Sequence, residues 1–451
     1  MVSLERLVLI GIGSPAVLFG LLGFASLVDR PLGERWTGRL AAAGMALSCA
    51  SLCTALVVYV TTRTGTMLLS YGAWSASRPG GIALEFLLDG LSLAFAALST
   101  AIAGIVAAFS SRYLHREPGY NRYFALFAMF VTGLLLVALA GNVEVLFVGW
   151  EFVGLSSALL VAFFHDRPAP VSSALRVFAI YRISDAAMLS AAVLLHHVAG
   201  SGSLSLLFGG EGRADAVALS SASATAIAVM LVVAVAGKSG LLPFSGWLPR
   251  AMEGPTPSSA VYYGSLSIHA GCFLLLRAAP LLEQSLAARL LAGTMGAATA
   301  IFATLATRVQ SDVKSSLAYA SLTQVGIIVL EIALGLYAVA FLHLVGHACF
   351  RLLQFLSAPN VLHDLHGIEG AIGRRLSPGA ARWETIVPAH VRRLVFLAAL
   401  ERGFLDEILD RAVVTPFFRC TTWMARVDRF LCDIVSAPVP GTAGDGSAPD
   451  D

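Results

Sequence analysis

Long apolar runs, separated by short polar stretches, occupy most of residues 1–358. A run of about 20 apolar residues is long enough to cross a bilayer as one α-helix. The runs lie at residues 5–28, 38–61, 84–110, 122–141, 143–165, 172–197, 224–252, 257–279, 288–308, 314–334 and 336–357. The pattern predicts an all-α polytopic membrane protein with about eleven transmembrane helices.

The span at 224–252 cannot be one regular helix. Lys238 follows its apolar first part, and two glycines and two prolines, Pro243 and Pro249, come next. Each proline removes a backbone N–H and clashes with the preceding turn. A break inside a membrane is tolerated only where the loosened backbone faces protein or a water-filled cavity. The pattern therefore predicts one broken helix, with Lys238 at the centre of an ion-conducting path.

The chain becomes polar and rich in arginine after residue 358, and an alternation of apolar and charged residues follows, interrupted at Pro416. The second pattern is typical of an amphipathic helix on a membrane surface. The predicted regions are N-terminal transmembrane helices (1–120), an ion-conducting core (121–358), a cytoplasmic linker (359–402), an amphipathic surface helix (403–434) and a disordered tail (435–451).

Composition supports the membrane assignment, since 13% of residues are charged whereas soluble proteins carry about 25%. A net charge of +2 without a basic tract gives no reason to expect nucleic acid as a partner. The six cysteines show no metal-ligand spacing, so neither a metal nor a cofactor is expected in this chain. A multi-pass protein of a bacterial plasma (inner) membrane is expected, and the distribution of loop arginines predicts that its N-terminus lies outside and its C-terminal region is cytoplasmic.

Charged and titratable residues nevertheless recur within the apolar spans or at their ends. They are Asp89, Glu151, Arg176, Arg182, Asp185, Lys238, Lys314, His343, His347 and Arg351. An unpaired charge at the bilayer centre costs at least a few kcal/mol, so these residues are expected to pair along a polar axis. Only Lys238 and Lys314 are lysines among 30 basic residues. A buried lysine can release its proton and an arginine cannot, which favours proton transfer at these two positions.

Spacing suggests how the charges pair. Glu151, in an apolar helix flanked by small residues, is the expected partner of Lys238. Arg182 and Asp185 are three residues apart, so they share a helix face and can pair. They are interpreted, with Arg176 and Arg351, as pairing residues that tune the proton path around Glu151 and Lys238; a purely structural Arg182–Asp185 salt bridge is the alternative.

Histidines form the next part of the predicted path. His343 and His347 are four residues apart on one helix face, and Arg351 follows after four more. Two histidines at this spacing can bind zinc, but a third ligand and a general-base glutamate between them are absent. Proton relay is the better interpretation, because imidazole exchanges protons near neutral pH. Tyr263 and His269 are expected to continue this relay towards Lys314.

These motifs resemble the proton-conducting membrane subunits of respiratory complex I, especially subunit L, and the related Mrp antiporter subunits. The matching stretches are Asp89-Gly-Leu-Ser, Asn121-Arg-Tyr-Phe, Phe147-Val-Gly-Trp-Glu-Phe-Val-Gly-Leu, Arg182-Ile-Ser-Asp, Gly237-Lys-Ser, Trp247-Leu-Pro-Arg-Ala-Met-Glu-Gly-Pro-Thr-Pro, Asp312-Val-Lys-Ser-Ser-Leu-Ala-Tyr and His343-Leu-Val-Gly-His. The resemblance implies an antiporter-like inverted-repeat bundle. It also implies that Glu151, Lys238 and Lys314 handle protons and that the histidines connect them.

The chain departs from the family at several points. Tyr263 stands where the family usually has a relay histidine, and Arg176 replaces a lysine. The second repeat, with its own broken helix, is expected to be truncated, because the chain becomes polar after residue 358. The segment 247–264 is similar to DabB-type subunits of bacterial inorganic-carbon transport systems. That similarity implies a soluble or peripheral DabA-like partner, which would hold the zinc.

The resemblance thus implies a cation-conducting membrane subunit, with the proton as the expected ion, that energises a DabA-like partner for CO2 or bicarbonate uptake. The alternative is a subunit L-like proton-pumping subunit of an NADH-quinone oxidoreductase, a related respiratory complex or an Mrp-type antiporter. Its partners would then be other membrane subunits. A third hypothesis is a scaffold whose buried charges only hold helices together. In each case the chain is expected to act without a cofactor of its own.

Overall fold

The computed structural model describes residues 3–73, 83–204, 219–310, 312–372, 388–400 and 405–436. Eleven helical segments among them are long and apolar enough to cross a membrane, which confirms the predicted number. The first part comprises α1 (Leu4–Leu27), α2 (Glu34–Thr62), β1 (Met67–Ala73), β2 (Ala83–Leu88), α3 (Gly90–Tyr113), α4 (Tyr120–Leu139), α5 (Val143–Val161), α6 (Pro168–Ala199) and α7 (Ser221–Ser239). The second comprises α8 (Trp247–Arg250), α9 (Thr256–Ser258), α10 (Ser267–Arg277), α11 (Ala279–Glu283), α12 (Leu286–Thr307), α13 (Val313–Ala333) and α14 (Tyr337–Ile372).

An antiparallel hairpin, β1–β2, is the element that the apolar pattern misses. Met67 pairs with Leu88 and Ser70 with Glu85. The prediction assigns residues 84–88 to the third span, because a short apolar strand next to an apolar helix looks like the start of that helix. Asp89 separates the two elements by capping α3, since its side chain accepts from the Ser92 N–H at 2.8 Å. The end of the helix bundle that carries this hairpin is called the hairpin end below.

The predicted break after Lys238 is confirmed, and side chains bond to two of its backbone groups. Helix α7 ends at Ser239, and Gly240 adopts φ 70°, a conformation that favours glycine. The Trp247 indole N–H donates to the Gly237 carbonyl at 3.0 Å, and the Leu242 N–H donates to the Thr299 hydroxyl at 2.9 Å. These bonds pair a carbonyl and an N–H that lose their helical partners where α7 ends, so they hold the break in place.

The following span, predicted to be regular, contains a second irregularity. Residues Ser259–Ser265 form a π-helical turn between α9 and α10. A π-turn inserts one extra residue per turn and is frequent at functional sites. The turn carries Tyr262 and Tyr263 and leads directly to the helix that carries His269.

Helix structure extends further than the predicted membrane boundary at residue 358. Helix α14 continues to Ile372, and α15 spans Ala389–Leu400, so part of the predicted linker 359–402 is helical. The reason is that a change to polar composition ends a membrane span but does not by itself end a helix. Residues 373–387 and 401–404 of this region lie outside the described residues.

The described residues from Asp406 onwards form a second compact unit, distinct from the described residues up to Leu405. Helix α16 (Leu405–Leu409) leads through a π-turn, Asp410–Val414, into α17 (Thr415–Ser436), with Pro416 at its second position. Proline is tolerated in the first turn of a helix, which explains why the regular helix restarts there. The tail predicted to be disordered from residue 435 lies, beyond Ser436, outside the described residues.

Candidate functional site

Lys238 is completely buried at the end of the broken helix. Its ammonium donates to the Trp150 carbonyl at 3.0 Å and lies 3.5 Å from Asp185 Oδ1. The end of α7 also favours a cation, because the last carbonyls of a helix carry partial negative charge. The ammonium therefore has one carboxylate, one carbonyl and a helix terminus to offset its loss of water.

Aromatic rings and a glycine complete the lysine pocket. The ammonium lies 4.9 Å from the centroid of Trp150 and 4.5 Å from that of Tyr181, where cation–π attraction stabilises the charged form. A Cβ at Gly154 would come 2.7 Å from the Lys238 nitrogen. Gly154 is thus the residue that leaves room for the ammonium.

Four charges form one network across α5, α6 and α7. Arg182 lies 2.6 Å from Asp185 Oδ2 and donates to Glu151 Oε2 at 2.9 Å. The predicted Arg182–Asp185 pair is confirmed, whereas the predicted direct pair of Lys238 with Glu151 is wrong. Asp185 contacts Lys238, and Arg182 separates Glu151 from it, because one turn of α6 places Arg182 and Asp185 between α5 and α7.

The network alternates in sign, from Glu151 through Arg182 and Asp185 to Lys238. Two cations and two carboxylates balance, which is how buried charges are tolerated in an apolar medium. A proton lost by Lys238 would leave Asp185 and Glu151 to share Arg182. The arrangement can therefore couple the protonation of Lys238 to the charge on Glu151. Arg176 lies six residues before Arg182, is half-buried and takes part in an interaction of its own.

The outer part of this network is not enclosed by the part of the chain that the structure describes. The side chains of Glu151 and Arg182 are 27% and 33% exposed, whereas Asp185 is 4% exposed. Glu151 shares its helix face with the exposed Val148 and Leu155. Arg182 shares a face in the same way with apolar residues of α6 that are exposed, namely Leu175, Leu189 and Val193. An ion pair near the middle of two membrane helices thus lies within an outward apolar surface.

A second polar group lies on α10 and α14. The Arg351 Nε–H donates to His347 Nε2 at 3.1 Å, and His347 Nδ1 lies 2.9 Å from His269 Nε2. Because the arginine can only donate, His347 accepts at Nε2; when neutral it carries its hydrogen on Nδ1 and donates to His269. The predicted grouping of these histidines with Arg351 is confirmed by these contacts, and they form a directed hydrogen-bond chain.

His343 extends this group to two residues that the sequence reasoning missed. Its Nδ1 lies 3.0 Å and 3.1 Å from the two oxygens of Glu331, and its Nε2 lies 3.0 Å from Gln324 Oε1. Glu331 interrupts an apolar run near the end of α13, and that interruption was the signal in the sequence. Glu331 lies twelve residues before His343, so helical spacing does not predict their contact. The short turn between α13 and α14 brings the two side chains together.

Lys314 lies elsewhere, which corrects the predicted continuation from His269 towards it. Lys314, in the first turn of α13, donates to the carbonyls of Met252 and Gly254 at 3.4 Å and 3.2 Å. Glu331, beside the histidines, is 17 residues further along the same helix, or about 25 Å. Tyr263 bonds neither to the histidines nor to Lys314, since its hydroxyl donates to the Ser157 carbonyl at 3.2 Å. Periodicity placed these residues on inward faces but could not assign them to one end of the bundle.

A further pair at the hairpin end was also missed. His196 Nε2, near the end of α6, makes a hydrogen bond to Glu144 in the first turn of α5. Burial and the charge of Glu144 raise the pKa of Glu85 on β2. Glu144 is seven residues before Glu151, so the same face of α5 carries both carboxylates. Within the described ranges, no group of three His, Cys, Asp or Glu could hold a metal ion.

Known proteins resemble this chain in sequence. Residues 140–372 match the family described as NADH:quinone oxidoreductase/Mrp antiporter, TM, and residues 74–124 match the N-terminal region of complex I chain 5. NADH-ubiquinone oxidoreductase chain 5 of Hylobates lar is 32% identical over 301 residues, which are 66% of this chain and 48% of the relative. NADH-quinone oxidoreductase subunit L of Mycobacterium tuberculosis is 33% identical over 291 residues, 64% of this chain and 45% of the relative.

Solved structures agree on the fold. A chain of the Mrp complex from Dietzia sp. DQ12-45-1b superposes with a TM-score of 0.66 and 28% identity over 86% of this chain and 40% of that chain. A chain of the membrane-bound sulfane sulfur reductase, an archaeal respiratory membrane complex, superposes with a TM-score of 0.66 at 20% identity and shares the fold. The chain spans about half the length of the curated relatives it matches. It belongs to the NADH:quinone oxidoreductase/Mrp antiporter transmembrane family.

Proposed function

We propose that this chain is a proton-translocating, antiporter-like membrane subunit of a multi-subunit complex of the complex I/Mrp type. The buried Lys238, held between Asp185 and the Trp150 carbonyl, is the observation that carries the proposal. A lysine without water, in contact with a carboxylate that a second cation also binds, can exchange a proton when the charges around it change. The proton is the proposed ion because the buried groups are amine, carboxylate and imidazole rather than a cage of oxygen ligands.

A partner membrane subunit is proposed to cover the outward faces of α5 and α6. The Glu151–Arg182 pair is about one-third exposed near mid-helix, amid exposed apolar residues. Lipid against such a pair would cost several kcal/mol, whereas a polar group on a neighbouring helix would satisfy it. The two similar structures come from membrane complexes, which supports this arrangement.

The test measures proton flux in proteoliposomes that contain the full chain with its co-purified partners. A potassium diffusion potential drives the flux, and an internal pH-sensitive dye reports it. Lys238→Ala and Lys238→Arg are both expected to lower the initial rate about tenfold or more, because neither side chain can bind and release the proton. Glu151→Gln is expected to lower it too, while Glu407→Gln, an exposed carboxylate of α16, serves as the matched control.

Two results would contradict the proposal. Full flux in Lys238→Arg would show that the amine need not lose its proton. Unchanged flux in a correctly assembled Glu151→Gln variant would favour a scaffold role for the charges. Uptake of radioactive sodium, measured in vesicles clamped at constant pH, would show instead that the transported ion is Na⁺.

Energising a DabA-like partner for inorganic-carbon uptake is a second candidate function. The similarity of segment 247–264 to DabB-type subunits favours it, while the matched relatives favour the respiratory or antiporter type. Co-purification of a zinc-containing, carbonic-anhydrase-like protein, together with loss of growth at air-level CO2 in Lys238→Ala, would support it. Co-purification of quinone-oxidoreductase or Mrp subunits alone would exclude it.

A further inference from the structure

Glu331 and His343 lie where the histidine chain approaches the hairpin end. Helix α13 ends at Ala333, two residues after Glu331, and α14 begins at Tyr337, six residues before His343. The Arg289 guanidinium donates to the Ala333 carbonyl, and the Tyr337 hydroxyl donates to Glu283, which fixes the α13–α14 turn to α11 and α12. Helix α10, just before them, ends at Arg277, which forms a salt bridge with Asp89 beside the hairpin.

The pair is joined to the deeper histidines by one helical turn. The ring centroids of His343 and His347 are 6.3 Å apart, and His347 contacts His269 at 2.9 Å. His347 is 6% exposed and His269 is fully buried. The side chains of His343 and Glu331 are 24% and 17% exposed. Exposure therefore rises along the imidazoles from His269 to His343, and Glu331 beside His343 is also partly exposed.

The contacts of His343 suit a group that passes protons. Both ring nitrogens face oxygen atoms, of Glu331 on one side and of Gln324 on the other, so the charged imidazolium can donate to both. If the Gln324 amide rotates, it presents an N–H to Nε2, which then accepts, and the imidazole is neutral with its hydrogen towards Glu331. The site accommodates both protonation states without moving the histidine.

We propose that Glu331 and His343 form the outlet of the histidine relay, where protons are exchanged with water at the hairpin end. A proton moves from His343 Nδ1 to a Glu331 oxygen, and the carboxylic acid then releases it to water; transport in the other direction reverses both steps. The path reaches this membrane surface within α13 and α14, without a second broken helix. The inference rests on the proposed proton translocation and identifies one of its two ends.

Proton flux in the reconstituted complex tests the role of the carboxylate. Glu331→Gln is expected to lower the rate about tenfold or more, since an amide cannot carry the proton onward. Glu331→Asp is expected to retain a measurable part of the flux. Glu5→Gln is the matched control, because this exposed carboxylate lies at the same end, where it accepts from Tyr71 of β1 and not from a histidine. Thermal unfolding and gel filtration of each variant confirm that assembly is intact.

Accessibility provides a readout that does not depend on flux. The exposed cysteines and Cys49 are first replaced by serine, and Glu331→Cys is then treated with a membrane-impermeant thiol reagent from either side. Labelling is expected from the hairpin side alone. Ile328→Cys, fully buried one turn earlier on α13, is expected to stay unlabelled. The same labelling is expected in a Lys238→Ala background, because access to the outlet does not require conduction.

The outcomes separate the two proposals. If the wild type conducts and Lys238→Ala does not, but Glu331→Gln conducts fully, the outlet is wrong and the proposed function stands. The outlet is also wrong if Glu331→Cys is labelled only from the opposite side. A wild-type complex without proton flux overturns the proposed function and the outlet with it.

Discussion

At the scale of single residues, the lysine pocket depends on an absent side chain as much as on the charged ones. Gly154 faces the Lys238 ammonium, and a Cβ there would lie 2.7 Å from the nitrogen and 3.5 Å from the Tyr181 ring. The ammonium has nowhere to retreat, because Trp150 and Asp185 occupy the other sides. Glycine at this position is thus part of the site, although it has no chemistry of its own.

Gly154→Ala is expected to displace the ammonium and to lower proton flux about tenfold or more, since a shift of about 1 Å in a reacting group can cost about a hundredfold. Gly104→Ala is the control, because a Cβ at Gly104 meets nothing within 4 Å and alanine is the better helix former. Flux assays of both variants, with the assembled complex quantified, check the prediction. Equal flux in the two variants would show that the ammonium position is not critical.

Asp89 is expected to make the stability of the fold depend on pH. Burial raises the pKa of its carboxyl, but the hydrogen bonds and charge of Arg277, with the Ser92 cap, outweigh it and hold the pKa below the usual value. A carboxylate with a lowered folded-state pKa stabilises the fold above its unfolded pKa of about 3.9, and this contribution is lost as the pH falls through the folded value.

Asp89→Asn is therefore expected to lower the stability of the purified protein by about 2 kcal/mol at neutral pH, since it removes a charged hydrogen-bonded pair. The difference from the wild type should shrink as the pH falls below about 4. Thermal unfolding in detergent between neutral and acidic pH measures both effects. A constant difference across this range would mean that the Asp89 charge does not contribute.

At the scale of elements, pairs of helices approach closely through facing glycines. A Cβ on Gly149 of α5 would lie 2.6 Å from the Gly133 carbonyl of α4, and one on Gly296 of α12 would lie 2.7 Å from the Gly326 carbonyl of α13. Small residues let membrane helices pack backbone against backbone, where the driving force is close contact rather than exclusion of water. The first pair fixes the helix that carries Trp150 and Glu151.

Gly149→Ala is expected to destabilise the bundle by about 1–3 kcal/mol, because the clash is with backbone atoms that cannot turn aside. It should also change the position of Glu151, two residues later. Gly13→Ala, on α1 with nothing within 4 Å of the added Cβ, is the matched control. Unfolding midpoints in detergent compare the two, and equal midpoints would contradict the packing described above.

At the scale of the whole molecule, the charged network extends from the buried interior to the outer surface of the helices. One part of the network, around Lys238 and Asp185, is buried, and the other, Glu151 with Arg182, reaches the outer surface of α5 and α6. A single subunit would present this pair to lipid, whereas a complex would enclose it. The chain is therefore expected to be most stable with a neighbouring subunit in place.

Cross-linking can identify that neighbour. Val148→Cys on α5 and Val193→Cys on α6, in a background without the native exposed cysteines, are expected to form cross-links to another membrane subunit in native membranes. Both positions flank the exposed pair and are themselves 46% and 61% exposed. Val17→Cys on α1, 70% exposed and on a helix that contributes no charge to the network, is the control. Cross-linking of the control alone would place the interface elsewhere.

Much of the architecture could be read from local pattern. The eleven spans, the break after Lys238 and the Arg182–Asp185 pair follow from hydropathy, proline placement and helical spacing. The hairpin was missed because its apolar strand merges with an apolar helix. The extension of α14 to Ile372 was missed because the polarity of a segment sets its membrane depth and not its helicity.

The sequence by itself determined which residues would be buried in the membrane and that their charges had to be compensated, because both follow from properties of neighbouring residues. The tertiary structure alone decided which charges meet. It placed Asp185 rather than Glu151 against Lys238, separated Lys314 from the histidines, and brought Glu331 to His343. Each of these contacts joins different helices, whose relative rotation and height depend on packing across the bundle, and no local period along the chain contains that information.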